Sequence, residues 1–172
     1  TPTITPIPQP PIVLSDDNQT GFWQSSGDQN PGGEKVWQLS LTNSTATNQS
    51  GTDSLEIVTV EGSNSHLYLF HDYGGSNTQN WSPRNTVTFY WYGTNTGVAL
   101  SFQIQTGVIN PWDEITDCKF TDNFTGWRPI SFTISSCGGT ANLTRVRRLM
   151  LGNQTGISYP SGTALTWYVD RV

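Results

Sequence analysis

Large apolar residues recur at every second position along most of the chain, and no ten-residue stretch shows the 3.6 spacing of a buried helix face. Val98, Leu100, Phe102 and Ile104 alternate with Ala99, Ser101, Gln103 and Gln105 without a break. A period of two sends successive side chains to opposite faces of a strand, so this run predicts a half-buried strand with its aliphatic set inward. Val87, Phe89 and Trp91 against Thr88, Tyr90 and Tyr92 repeat the pattern, as do Ile130, Phe132 and Ile134, and Leu165, Trp167 and Val169. Further strands are expected near 35–41, 54–60, 66–71 and 145–151. Clusters rich in Gly, Asn and Pro separate them, at 30–33, 74–75, 93–97, 138–139 and 161–162. About nine or ten short strands at these spacings predict an all-β, two-sheet antiparallel sandwich. Trp91 and Trp167 fall on inward positions and belong to its core.

Residues 1–11, TPTITPIPQPP, break the pattern. Proline fixes φ and removes a backbone donor, so this segment is expected to be extended and cannot form a central strand. The chain thus divides into a Pro/Thr-rich N-terminal arm over 1–11 and a domain over 12–172. Ile4, Ile7 and Ile12 are apolar anchors by which the arm would add to the sheet of a neighbouring copy. Contacts of that kind run head to tail and propagate into a fibre. The start at Thr1, with neither Met nor an apolar leader, reads as a processed or excised product.

Composition narrows the partners. Only 12% of the 172 residues are charged, the net charge is −5, and the pI is near 4.7. That balance argues against nucleic acid, whose phosphates need a Lys/Arg surface. The basic cluster Arg145, Arg147 and Arg148 is expected to place Arg145 and Arg147 on a solvent face. No stretch approaches the apolar length of a membrane helix. Asn-x-Ser/Thr sequons begin at Asn18, Asn43, Asn48, Asn80, Asn123, Asn142 and Asn153, acceptors for N-linked sugar in a secreted protein. Cys118 and Cys137 either close a loop of about 20 residues, worth roughly 3 kcal/mol, or remain two buried thiols.

The outward positions of the two central strands, Tyr90, Tyr92, Ser101, Gln103 and Gln105, with Tyr68 and Tyr168 as neighbours, form the candidate binding face. Aromatic rings grip the C–H faces of sugars, and amides grip their hydroxyls. Trp81, Trp112 and Trp127 sit in loops or at strand starts. Catalysis finds no support. His66 and His71, five residues apart on one strand, would face opposite ways, and no nucleophile motif accompanies them.

Read in order, five phrases carry a family resemblance: Asn80-Trp81-Ser82, TVTFYWYG at 86–93, VALSFQIQ at 98–105, TDNFTGWRPISFTI at 121–134 and LTWYVDRV at 165–172. From roughly Ile12 to Val172 the chain resembles the galactose-binding-like jelly rolls of non-catalytic carbohydrate-binding modules. The resemblance implies a jelly roll with glycans along a concave sheet and with Trp127 packed in the core rather than binding. It also implies a structural calcium held by an early acidic residue, Asp16 or Asp17, and by the closing Asp170, since hard oxygen ligands suit that ion. Two functions follow as expectations. One is an extracellular, glycosylated subunit that polymerises into a pilus-like filament through its arm. The other is a carbohydrate-binding module excised from a larger secreted protein.

Overall fold

Period-two patterning becomes eleven strands in the computed structural model, which describes residues 13–14, 19–25, 38–60, 68–74, 77–152 and 165–172. In chain order these are β1 (Gln24–Ser25), β2 (Gln38–Ser44), β3 (Ser54–Val60), β4 (Tyr68–Asp72), β5 (Thr86–Thr94), β6 (Ala99–Gln105), β7 (Ile115–Thr121), β8 (Thr125–Thr133), β9 (Gly138–Gly139), β10 (Arg148–Gly152) and β11 (Leu165–Asp170). They pair antiparallel throughout, in a six-stranded sheet ordered β1-β4-β10-β6-β7-β9 and a five-stranded sheet ordered β2-β3-β11-β5-β8. The expected sandwich is present. The predicted arm, with Ile4, Ile7 and Ile12, lies outside the described residues.

The core lies between the sheets. Val87, Phe89 and Trp91 of β5 face Leu100, Phe102 and Ile104 of β6, all buried, and the Phe89 and Phe102 rings stack across the interior at 5.5 Å. Trp91 lies 5.7 Å from Trp167 and 5.5 Å from Phe120, so aromatic edges and faces fill the middle of the sandwich. β7, which the periodicity reading passed over, buries Cys118 and packs Phe120 against this cluster while Asp117 and Lys119 point away.

Consecutive strands do not always share a sheet. The chain leaves β5 in one layer and enters β6 in the other through residues 95–98, with Asn95 at φ 57° and Gly97 at φ 73°. The β7–β8 link crosses back at the same end and brings in Asp122, which is wholly buried. Its carboxylate accepts from the Thr94 and Thr96 amides (3.1 and 3.2 Å), the Thr96 hydroxyl (2.7 Å) and the Trp167 indole N–H (2.8 Å). One buried carboxyl group with four donors thus fastens both crossings to the central strand β11. On the open side, Cys118 of β7 is bonded to Cys137, with Cα atoms 4.8 Å apart, which settles the cysteines as a disulfide.

Candidate functional site

The crossing between β5 and β6 corrects the expected binding face. Tyr90 and Tyr92 point out of the five-stranded sheet, whereas Gln103 and Gln105 point out of the six-stranded one. They lie on opposite sides of the molecule and cannot line one cleft. Alternation fixes whether a residue points in or out, but not which layer its strand joins. Gln103 and Gln105 are also buried, 1% and 5% exposed, rather than open to solvent.

Each face has its own logic. On the five-stranded sheet, one cross-strand row holds Thr42, Glu56, Tyr168, Tyr92 and Trp127. Tyr92 meets both Trp127 and Tyr168 edge-on at 5.5 Å. The Tyr168 hydroxyl donates to Glu56 (2.9 Å), the Thr42 hydroxyl to the same carboxylate (3.0 Å), and the Trp127 indole N–H to Thr47 (2.8 Å). Burial first, and the neighbouring Glu56 second, raise the Tyr168 phenol above its ordinary pKa. Tyr168, Thr42 and Trp127 thus spend their polar atoms within the face. Trp127, expected in the core, lies instead on this outer face, half-buried against Tyr92.

The six-stranded sheet differs. Its outward rows read Phe70, Met150, Gln103, Asp117 and, one step along, Asp72, Arg148, Gln105, Ile115. Tyr68 pairs with Gly152 in the same ladder. Gln105 donates its amide N–H to Gln103 (2.9 Å), while the Gln105 Oε1 is buried with no hydrogen-bond partner. Arg148 donates twice to Asp72, at 3.1 and 2.6 Å, and its guanidinium lies 4.8 Å from the Phe70 ring and 5.7 Å from that of Trp112. Burial alone would raise the Asp72 pKa. The Arg148 hydrogen bonds, the Gly74 amide and the charges of Arg148 and Arg147 outweigh it and hold the carboxyl below its ordinary value. Trp112, 54% exposed, comes from the β6–β7 loop beside this corner. A groove of about 640 Å³ borders the far side, where Asp117 and Lys119 meet Ser131, Thr133 and the disulfide.

The arginine cluster also departs from expectation, because β10 starts at Arg148. Arg148, not its neighbours, takes the outward position. Arg145 pairs with Glu114 (2.5 Å), and Arg147 donates to the carbonyls of Gly107 and Val108. Phe70, Asp72 and Arg148 escaped sequence reading. The alternation in LFHD (69–72) and RLML (148–151) was the signal that could have found them.

The remaining candidates fall as follows. Trp81 is buried in the core. His71 turns inward, stacked on Phe22 at 3.8 Å, and His66 lies outside the described residues. Asn43, Asn48, Asn80, Asn123 and Asn142 are exposed, while Asn18 and Asn153 lie outside the described residues. Asp170 is buried, and its Oδ2 accepts the amides of Gln49 (2.8 Å) and Ser50 (2.9 Å). Asp16 and Asp17 are not among the described residues, which gather no group of three His, Cys, Asp or Glu able to hold a metal. Among the described residues no helix is long and apolar enough to cross a membrane.

No family model and no curated protein matches the chain. Solved structures do. The chain is similar to a family 11 carbohydrate-binding module of a cellulosomal cellulase from Clostridium thermocellum, at TM-score 0.65 and 14% identity over 92% of this chain and 90% of that one. A family 11 module from the same organism, in complex with a β-1,3-1,4-mixed-linked tetrasaccharide, gives 0.65 and 15% over 92% and 91%. A family 30 module of another of its cellulosomal cellulases gives 0.60 and 11% over 92% and 93%. At these identities the likeness is one of fold, and that fold is the jelly-roll sandwich of carbohydrate-binding modules.

Proposed function

We propose that this domain is a non-catalytic carbohydrate-binding module of a secreted protein, taking a neutral polysaccharide on the outer face of its six-stranded sheet. The observation that carries the reading is the corner where exposed Trp112 and half-buried Phe70 flank a fixed Arg148–Asp72 pair. Rings for C–H faces and fixed donors and acceptors for hydroxyls are what sugar recognition needs. The sandwich shared with the family 11 and 30 modules and the disulfide support the same reading. The filament reading draws no such support, since the arm it rests on lies outside the described residues. The exposed sequons would carry N-linked sugar in a host that glycosylates asparagine.

Affinity electrophoresis through gels of mixed-linkage glucan, xylan, mannan and soluble cellulose derivatives tests the proposal. Wild-type protein should be retarded in at least one gel. Phe70→Ala with Trp112→Ala should lose that retardation, each ring contributing about 1 kcal/mol. Tyr92→Ala with Tyr168→Ala should keep it. Retention lost only with the tyrosines would move the site to the other face, and wild-type protein that runs freely through every gel would end the reading.

A further inference from the structure

The β6–β7 loop, residues 106–114, is held far more firmly than a solvent loop needs. Arg147 Nη1 donates to the carbonyls of Gly107 and Val108, both at 2.6 Å. The Thr106 amide donates to the Glu114 carbonyl (2.9 Å) and its hydroxyl to the Glu114 carboxylate (2.8 Å), which Arg145 holds from the other side at 2.5 Å. Those two Arg145 and Thr106 bonds hold the Glu114 pKa below its ordinary range. The Asn110 amide donates to Asp113 (3.1 Å), and a Cβ on Gly107 would run into the Asn110 carbonyl.

This bracing keeps apolar groups in water. Val108 is 67% exposed, Ile109 84% and Trp112 54%, and Val13 is the other large exposed hydrophobic among the described residues. Burying such side chains is favourable, so a rigid loop that displays three of them is preorganised for contact. Trp112 stands by Arg148 of the proposed binding corner, and Val108 and Ile109 lie three to four residues before it. From these observations we infer that the loop is an extension of the sugar site, a rigid shelf on which the polysaccharide continues after leaving the sheet. Val108 and Ile109 give the shelf an apolar surface for the C–H faces of further sugar units, so affinity rises with chain length. The inference rests on the carbohydrate-binding reading. A lipid surface fits less well, because the loop carries Asp113 and Glu114 and the chain is net acidic, which repels anionic membranes.

The test takes whichever of those four polysaccharides retards the wild type most and compares it with a tetrasaccharide cut from it, by titration calorimetry. Val108→Ser with Ile109→Ser, both surface changes, should leave the melting temperature in place. The gain in affinity from tetrasaccharide to polymer should shrink about five- to tenfold. Trp112→Ala should weaken both ligands. Wild-type binding to both, with an unchanged gain in the double variant, overturns the shelf and leaves the carbohydrate-binding reading standing. A wild-type protein that no gel retards overturns both. A wild-type dimer in sedimentation that the double variant abolishes, with the gain unchanged, makes the loop a self-association surface and overturns the shelf as well.

Discussion

Asp122 shows how much a single side chain can organise. Its buried carboxylate holds the amides of Thr94 and Thr96, the Thr96 hydroxyl and the buried Trp167 indole. Asp122→Ala leaves the buried Trp167 indole N–H unpaired and loosens the Thr94–Thr96 turn, and should cost about 2–3 kcal/mol, read as a shifted urea midpoint. Gly93 is tied to the same knot: an added Cβ would lie 2.5 Å from the Phe124 carbonyl and 2.6 Å from Asp122 Oδ1. Gly93→Ala should therefore destabilise by about 1–3 kcal/mol through overpacking alone. A midpoint unmoved by either change would contradict the packing described. At Asp72 the consequence is pH dependence. Its folded-state pKa is depressed, so the Arg148 pair is intact above the ordinary value of 3.8 and is lost as pH falls through the lower folded value. Polysaccharide retention should hold through neutral pH and fall only below about 4, and Asp72→Asn should remove that acid step.

Among the elements, β5 and β6 were legible because three apolar residues in each sit two apart, with Thr, Tyr, Ser or Gln between. β7 was not, since ITDCKFT mixes a Cys and a Thr with its one large inward residue, Phe120, and puts charges on the outer side. The pairing of layers lay beyond any pattern of periods. The four-residue link after Thr94 reads like a hairpin loop, yet it crosses the sandwich because Asp122 draws both Thr94 and Thr96 to the far link. That one geometric fact separated the tyrosines from the glutamines. The disulfide was legible as a pair but not as a place. It ties β7 to the segment entering β9, whose ladder is only two residues long, Thr116 to Gly139 and Asp117 to Gly138. Replacing both cysteines with Ser should cost about 3 kcal/mol, and intact mass should rise by two daltons when the wild type is reduced. An unchanged mass would mean that the bond does not form in solution.

For the whole molecule, two sheets back to back give two outer faces with different chemistry. On the five-stranded side the Tyr168 hydroxyl and the Trp127 indole N–H are bonded internally, and the six-stranded side sets exposed Trp112 beside a fixed ion pair. That contrast required side-chain geometry, so the proposed site was only partly visible beforehand, through Trp112 and the glutamines. The place of β11 has a further consequence. Residues 165–170 form the middle strand of the five-stranded sheet, between β3 and β5, and carry Trp167 into the core. On the ribosome this strand is made after the other ten. Until it emerges, β3 and β5 present unpaired backbone edges, and Asp122 lacks its indole donor. The sheet must therefore close late, by a contact between residues more than seventy positions apart, which makes for slow folding and an aggregation-exposed intermediate. A nascent chain of this kind depends on being kept apart from its copies until β11 arrives.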